Sequence, residues 1–270
     1  MQRRFSEAAR ELAARKGVCA ILAAYALFLL FSALFFGISG QLRNALLSAA
    51  YLAIIPLFLL AERGLGLRFG PLFAALLFFL AAGGILGSSY DLYTRIPCFD
   101  DILHGLSGGI FACVGFGLAA KVCRKETERR SFFVCLAAGI VFSLAVACLW
   151  ELFEYAAYAF FGIDMQEDTL IDGFSSYYLS GTHNTPALIR DIEQTIIRYG
   201  GGRTLVLDGY LDIGLIDTLH DTAACFLGAA VWFLALTADR AFRGPLRRML
   251  LPALLRLPQK NPKTPADPKK

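Results

Sequence analysis

Three clusters of ionisable residues interrupt apolar stretches of this chain at spacings of three or four. Asp100 and Asp101 stand with His104, Glu151 with Glu154, and Asp217 with His220 and Asp221. On a helix, such spacings put the members of each cluster on one face. His and carboxylates converging from neighbouring helices are the ligand set of metal sites built in bundle cores. Hard oxygen ligands with one or two imidazoles suit zinc, manganese, iron or magnesium, and the sequence does not choose among them. The expected chemistry is therefore a divalent metal ion held by Asp100, His104, Asp217 and Asp221. Glu151 or Glu154 would act as general base toward a metal-activated water. Asp101 and His220 each sit one position from a better-placed group and are expected to support or replace it.

These groups must be positioned by elements that cross a membrane. The composition is 57% hydrophobic and 18% charged over 270 residues, outside the usual range of soluble domains. Apolar runs long enough to span recur at Val18–Phe36, Ala45–Ala61, Pro71–Leu86, Ile102–Ala120, Phe132–Phe161 and Ile213–Thr237. A span needs roughly 20 such residues, with about 17 as the lower limit. The third run is the shortest, and Gly83, Gly84 and Gly87 soften its end. The reading is an all-α membrane protein with a six-helix membrane domain over residues 18–240. An amphipathic cytoplasmic segment (1–17) precedes it, and a basic cytoplasmic tail (241–270) follows. The tail is expected to be attracted to anionic lipid and disordered beyond about Pro258.

Basic residues set the expected orientation. Of the 26 Lys and Arg, 21 flank the runs on the side shared by both termini and only five lie in the alternate connections. The positive-inside rule then places both termini in the cytoplasm. A cleaved signal peptide is the rival reading of the first run. Its apolar stretch is long and no clear small-x-small site follows, so a retained helix is expected. At about 1.5 Å per residue, His104, Glu151 and His220 all fall roughly 24–29 Å from the cytoplasmic ends of their helices. That is close to the outer edge of a ~30 Å hydrocarbon core. Charged groups at membrane depth cost several kcal/mol each unless partnered, which makes the coincidence a functional signal.

Structural roles compete with this reading. Asp100 or Asp101 could cap the fourth helix, Asp212 and Asp217 the sixth. Trp150 and Tyr155 fit an interfacial aromatic belt. A carboxylate pair near the C-terminal end of a helix faces the negative end of its dipole, so Glu151 and Glu154 call for a proton, a metal ion or another cation.

The same residues carry a family resemblance. Asp100–His104–Gly108, then Glu151–Glu154–Tyr155, then Asp217–Thr218–Asp221 with Gly228–Ala229 resembles the YjdF-like group of multi-pass bacterial inner-membrane proteins. The likeness runs from about Asp91 to Val231. Tyr155 stands where shorter members tend to have Trp, and His220 falls at a position that looks variable. The resemblance implies location in the bacterial cytoplasmic membrane and leaves the chemistry open.

Between the fifth and sixth runs lies an insertion, residues 162–212, opening with the acidic stretch Asp164–Thr169. Thr185-Pro186 reads as a helix start, and Leu188, Ile189, Ile192, Ile196 and Ile197 as one apolar face, stopped by Gly200–Gly202. Thr204–Leu207 and Tyr210–Ile213 flank Asp208-Gly209, a hairpin signal. A small extracytoplasmic helix plus hairpin is expected, with His183 an ordinary loop residue. Seven cysteines do not form a disulfide framework, and no phosphate-binding or dinucleotide pattern appears. The expected partners are the bilayer and a lipid-linked or other small-molecule substrate, with no nucleic acid. Two functions stay open: a metal-dependent enzyme acting on a membrane-borne substrate, and a proton- or cation-coupled transporter. An accessory role without chemistry is the third.

Overall fold

The computed structural model describes residues 11–123 and 129–255, the side chains of residues 129 and 130 excepted. Six helical segments are long and apolar enough to cross a membrane: Lys16–Ile38, Leu42–Leu65, Pro71–Ser89, Phe99–Val122, Ser131–Phe161 and Leu215–Ala241. Each overlaps one of the six apolar runs, the short third one included. Their outward faces carry apolar side chains such as Leu27, Phe31, Leu34 and Leu57, each at least 60% exposed. Water does not tolerate so much contiguous apolar surface, whereas lipid does.

The chain divides into two compact units, Ala145–Ala224 and the remainder. The larger unit begins with α1 (Lys16–Ile38), which packs on α2 (Leu42–Tyr51) and on α4 (Pro71–Gly84). The second span is not one helix. It breaks between α2 and α3 (Ile54–Leu65), where Leu52, Ala53 and Ile55 make i→i+3 bonds to Ala49, Ala50 and Leu52. Pro56 is the cause: it has no N–H for the Leu52 carbonyl, and its ring crowds that turn. The third span ends in a π turn, Ile85–Ser89, closed by Tyr90 N–H on the Ile85 carbonyl at 3.2 Å. A short α5 (Leu92–Arg95) leads into α6 (Phe99–Val122). The core of this unit holds Leu22, Leu29, Phe58, Phe73, Phe78 and Ile110, all buried.

Small residues bring α6 against α7 (Arg129–Phe161) and α9 (Leu215–Ala241). A Cβ on Gly108 would collide with the Cys225 carbonyl, one on Gly228 with the Gly105 carbonyl, and one on Gly139 with the Ala112 carbonyl. Only glycine allows backbones this close, which is how membrane helices associate without a hydrophobic drive. Ser143 adds a hydrogen bond from its hydroxyl to the Gly108 carbonyl at 2.8 Å.

The described segment after α9, up to residue 255, is tied down. Asp239 accepts the Leu246 and Arg247 N–H groups at 2.8 and 3.1 Å, holding α10 (Leu246–Leu250). The strand β8 (Ala253–Leu254) then pairs antiparallel with β1 (Leu67–Arg68), Leu67 opposite Leu254. The tail beyond Pro258 and the first ten residues lie outside the described residues.

The smaller unit holds the C-terminal half of α7, the start of α9 and the insertion. Here the expected helix over Thr185–Tyr199 is replaced by strands. β2 (Thr169–Ile171) pairs with β7 (Tyr210–Asp212), β3 (Phe174–Ser176) with β4 (Ala187–Ile189), and β5 (Thr195–Tyr199) with β6 (Arg203–Leu207). The one helix is the single turn α8 (Tyr177–Ser180). Three local features outweigh the apolar periodicity. Thr185 precedes a proline, which disfavours α backbone; Asp191 has φ 53°; and Thr195-Ile196-Ile197 is a β-branched run that packs well as strand. Gly200, Gly201 and Gly202 all have positive φ and turn the chain from β5 to β6. They close a hairpin instead of ending a helix.

The expected pairing across Asp208-Gly209 is also replaced. The dipeptide does turn the chain, but β6 is taken by β5 through five residue pairs and β7 by β2 at the base of the insertion. β2 follows α7 and β7 precedes α9, so their pairing ties the C-terminal end of α7 to the N-terminal end of α9.

Gly228→Val should destabilise the protein by on the order of 1–3 kcal/mol, the usual penalty for forcing atoms into a packed contact. A Cβ on Gly37 would meet nothing, so Gly37→Ala in α1 should instead be neutral or stabilise by up to about 1 kcal/mol. Unfolding of both variants in detergent micelles checks the pair.

Candidate functional site

The helices that carry the ionisable clusters invert the soluble pattern. Along α7, Glu151, Glu154 and Ala157 are buried while Leu152, Phe153 and Tyr155 are exposed. Along α9, Asp221, Cys225 and Ala229 form the buried stripe, with Leu219, Phe226 and Leu227 outward. Side chains three and four apart share a helix face, so these spacings turn every carboxylate of the two stripes inward.

In the smaller unit the two stripes meet. Oxygens of Glu151, Glu154 and Asp221, which are 7%, 5% and 3% exposed, lie within 4.8 Å of one another. Three carboxylates at that range form a donor set for a hard cation. At an effective dielectric constant of about 20, two unit charges 4 Å apart repel by roughly 4 kcal/mol. The cluster therefore favours a proton or a metal ion among its oxygens. Trp150 donates its indole N–H to Glu154 Oε1 at 2.7 Å. This residue reads as an aromatic belt in the sequence, yet its i,i+4 spacing to Glu154 was the available signal for a hydrogen bond.

Asp217 lies one turn before Asp221, half-buried, and is not part of that triad. His220, expected beside Asp217 and Asp221, is exposed, because it falls one position off the buried stripe. In the larger unit, Asp100 and His104 form an i,i+4 pair at the start of α6, Asp100 Oδ2 to His104 Nε2 3.6 Å. Asp101 is exposed. The N-cap of α6 is Cys98, with no side-chain cap bond. Asp100 and Asp101 are thus first-turn acids favoured by the helix dipole and not caps. Capping by Asp212 is found: its Oδ2 accepts the Ile216 N–H at 2.9 Å at the start of α9.

The loop leaving α7 packs on the start of α9. Gln166 donates to Thr218 Oγ1 at 2.6 Å, and its side chain fills the space where Gly214, at φ 115°, has no Cβ. Burial, with the carboxylates of Asp164 and Asp212 nearby, pushes the Asp168 carboxyl above its ordinary value. Among the described residues none of the seven cysteines forms a disulfide.

This arrangement, six spans with an inward acidic stripe, defines an integral membrane protein. Residues 19–241 match the family described as "Predicted membrane protein (DUF2238)", and the chain belongs to that family. The YjdF-like likeness of its motifs agrees with this membership. No curated protein and no solved structure matches the chain.

Trp150→Phe should cost about 1.5–3 kcal/mol, the range for a hydrogen bond to a charged group. In a Glu154→Gln background the same change should cost less. Equal losses in both backgrounds, measured by denaturant unfolding in micelles, would show that the indole does not act through Glu154.

Proposed function

We propose that Glu151, Glu154 and Asp221 bind a divalent cation and that the protein is a metal-dependent enzyme acting on a membrane-borne substrate. The observation that carries this reading is the meeting of three buried carboxylates within 4.8 Å on apolar helices. A divalent ion offsets their mutual repulsion and matches their all-oxygen donor set, which suits magnesium, manganese or calcium more than softer metals. A bound ion would supply Lewis acidity and a water of lowered pKa. Glu151 or Glu154 would then accept the proton of that water, and the indole of Trp150 orients Glu154. Asp100, His104 and Asp217 belong to the proposal on the motif order of the sequence alone.

The excess of Lys and Arg around both termini supports cytoplasmic termini and a site facing outward. A site at headgroup depth suits a lipid-linked or other small molecule in the outer leaflet. The likeness to bacterial inner-membrane proteins supports that membrane as its location. Interruption of the second span at Leu52–Ala53 favours a second reading, since carriers use broken helices. In it the same carboxylates exchange protons or cations during transport.

Protein stripped with a chelator should regain about one equivalent of manganese or magnesium per chain and melt at a higher temperature with it. Glu151→Gln/Glu154→Gln should lose both responses. His104→Ala should weaken binding by about 10–100-fold if His104 takes part. Equal metal content in wild type and the double variant would remove the cation site and the enzyme reading with it. Ion flux into vesicles, abolished by the same variant, would select the carrier. For orientation, Cys98 should react in intact cells with a thiol reagent that does not cross membranes, while a cysteine in place of Arg124 should not. The reverse pattern inverts the topology.

A further inference from the structure

The larger unit contains a cavity of about 390 Å³ with four basic residues in its wall. Arg15, Lys16, Arg68 and Arg248 line it, together with Gly70 and Pro71. Arg15 is committed: its two Nη atoms hold Glu62 Oε2 and Oε1 at 2.7 and 2.8 Å, and Nη2 also donates to the Phe69 carbonyl at 2.6 Å. Glu62 in turn accepts the Phe69 N–H at 2.8 Å, which closes a buried network beneath the cavity. Arg68 reaches Glu11 at 3.0 Å, an exposed pair worth little. Among the described residues, Lys16 and Arg248 form no ion pair. Two of the four lining cations are thus left without an ion-pair partner, and they come from different elements, Lys16 from α1 and Arg248 from α10.

The backbone adds to this field. Lys16 is the first residue of α1, and Gly70 and Pro71 are the N-cap and first residue of α4. Both helices therefore begin at the cavity and present their positive ends to it. Val18, Phe69 and Leu251 supply an apolar part of the wall beside the charges. A basic pocket with an apolar margin, at the level where helices enter the bilayer, is the setting in which phosphate headgroups bind. Guanidinium forks match phosphate oxygens two at a time, and the volume falls in the range of small-molecule sites.

We propose that this cavity binds a phosphate-bearing anion, presented by the headgroup of an anionic phospholipid. The anion would bridge Lys16 and Arg248 and so fasten the segment after α9 to the start of α1. The site is independent of the carboxylate triad, and neither proposal depends on the other.

Full-length protein in neutral detergent can be melted with added phosphatidylglycerol, with phosphatidylcholine, or with millimolar inorganic phosphate, and bound lipid counted by native mass spectrometry. Phosphatidylglycerol should stabilise the wild type and remain bound, whereas phosphatidylcholine should do neither. Lys16→Ala/Arg248→Ala should weaken that response by about thirtyfold, given two basic side chains near a headgroup. Because both residues are exposed, the variant should fold, and Lys16→Arg/Arg248→Lys should retain the response. A response to inorganic phosphate that the alanine variant lacks would support the phosphate site with a soluble source in place of lipid. Equal responses of wild type and alanine variant to every probe, or equal responses to the two lipids, would overturn the proposal.

Discussion

Hydrocarbon offers no hydrogen bonds, so every charged or polar side chain on a spanning helix must turn toward protein, water or a headgroup. This constraint orders the rest of the molecule. It places Glu151, Glu154 and Asp221 on buried stripes while Leu152, Phe153 and Leu219 face outward. It also explains why the buried ionised groups elsewhere are paired. Glu62, 4% exposed, is held by Arg15 and the Phe69 N–H, and Asp239 by Arg247 and two backbone N–H groups. Those two carboxylates organise structure: one joins α1 to the loop before α4, the other anchors α10. In the acidic triad three carboxylates lie within 4.8 Å of one another.

Association of the helices rests on close approach and not on apolar burial. Lipid tails are as apolar as leucine, so the drive comes from packing and from hydrogen bonds made within the bundle. Gly108 and Gly139 on α6 and α7, with Gly228 on α9, let carbonyls approach where any side chain would collide. Two of these glycines, Gly108 and Gly228, belong to the motifs that carry the family likeness, and the structure gives them a steric reason. They hold α6 and α9 in contact, with Gly108 one turn after His104 on α6.

The insertion shows how local chemistry decides between competing patterns. Its apolar residues fit a helix by spacing, but a strand pairing across three glycines gains five residue pairs and suits the β-branched run. Two-stranded ribbons are marginal alone. Here each is short, and the one at the base of the insertion, β2 with β7, is anchored by α7 and α9, whose ends it joins. Tyr199 adds support at the glycine turn by stacking under Arg203, whose guanidinium lies 4.7 Å from the ring centre.

Six spans, their approximate limits and the three ionisable clusters were determined by sequence alone. Long apolar runs have one stable form in lipid, and spacings of three and four have one meaning on a helix. Asp221 and the Glu pair were legible for that reason, and His220 was legible as an outlier because it sits one position off the stripe. Other features needed the tertiary structure. Periodicity could not distinguish helix from hairpin over Thr185–Tyr199, because apolar residues spaced three and four apart also fall on paired strands. Asp208-Gly209 marked a turn correctly, but which strand pairs with which depends on partners distant in sequence. The break at Leu52–Ala53 was written in Pro56, and only the surrounding hydrogen bonds show how the helix absorbs it. That Asp217 stays outside the triad while Asp221 joins it, one turn apart on one helix, depends on where the facing helix places its glutamates. The basic cavity, too, exists only once α1, α4 and α10, far apart in the chain, are folded together.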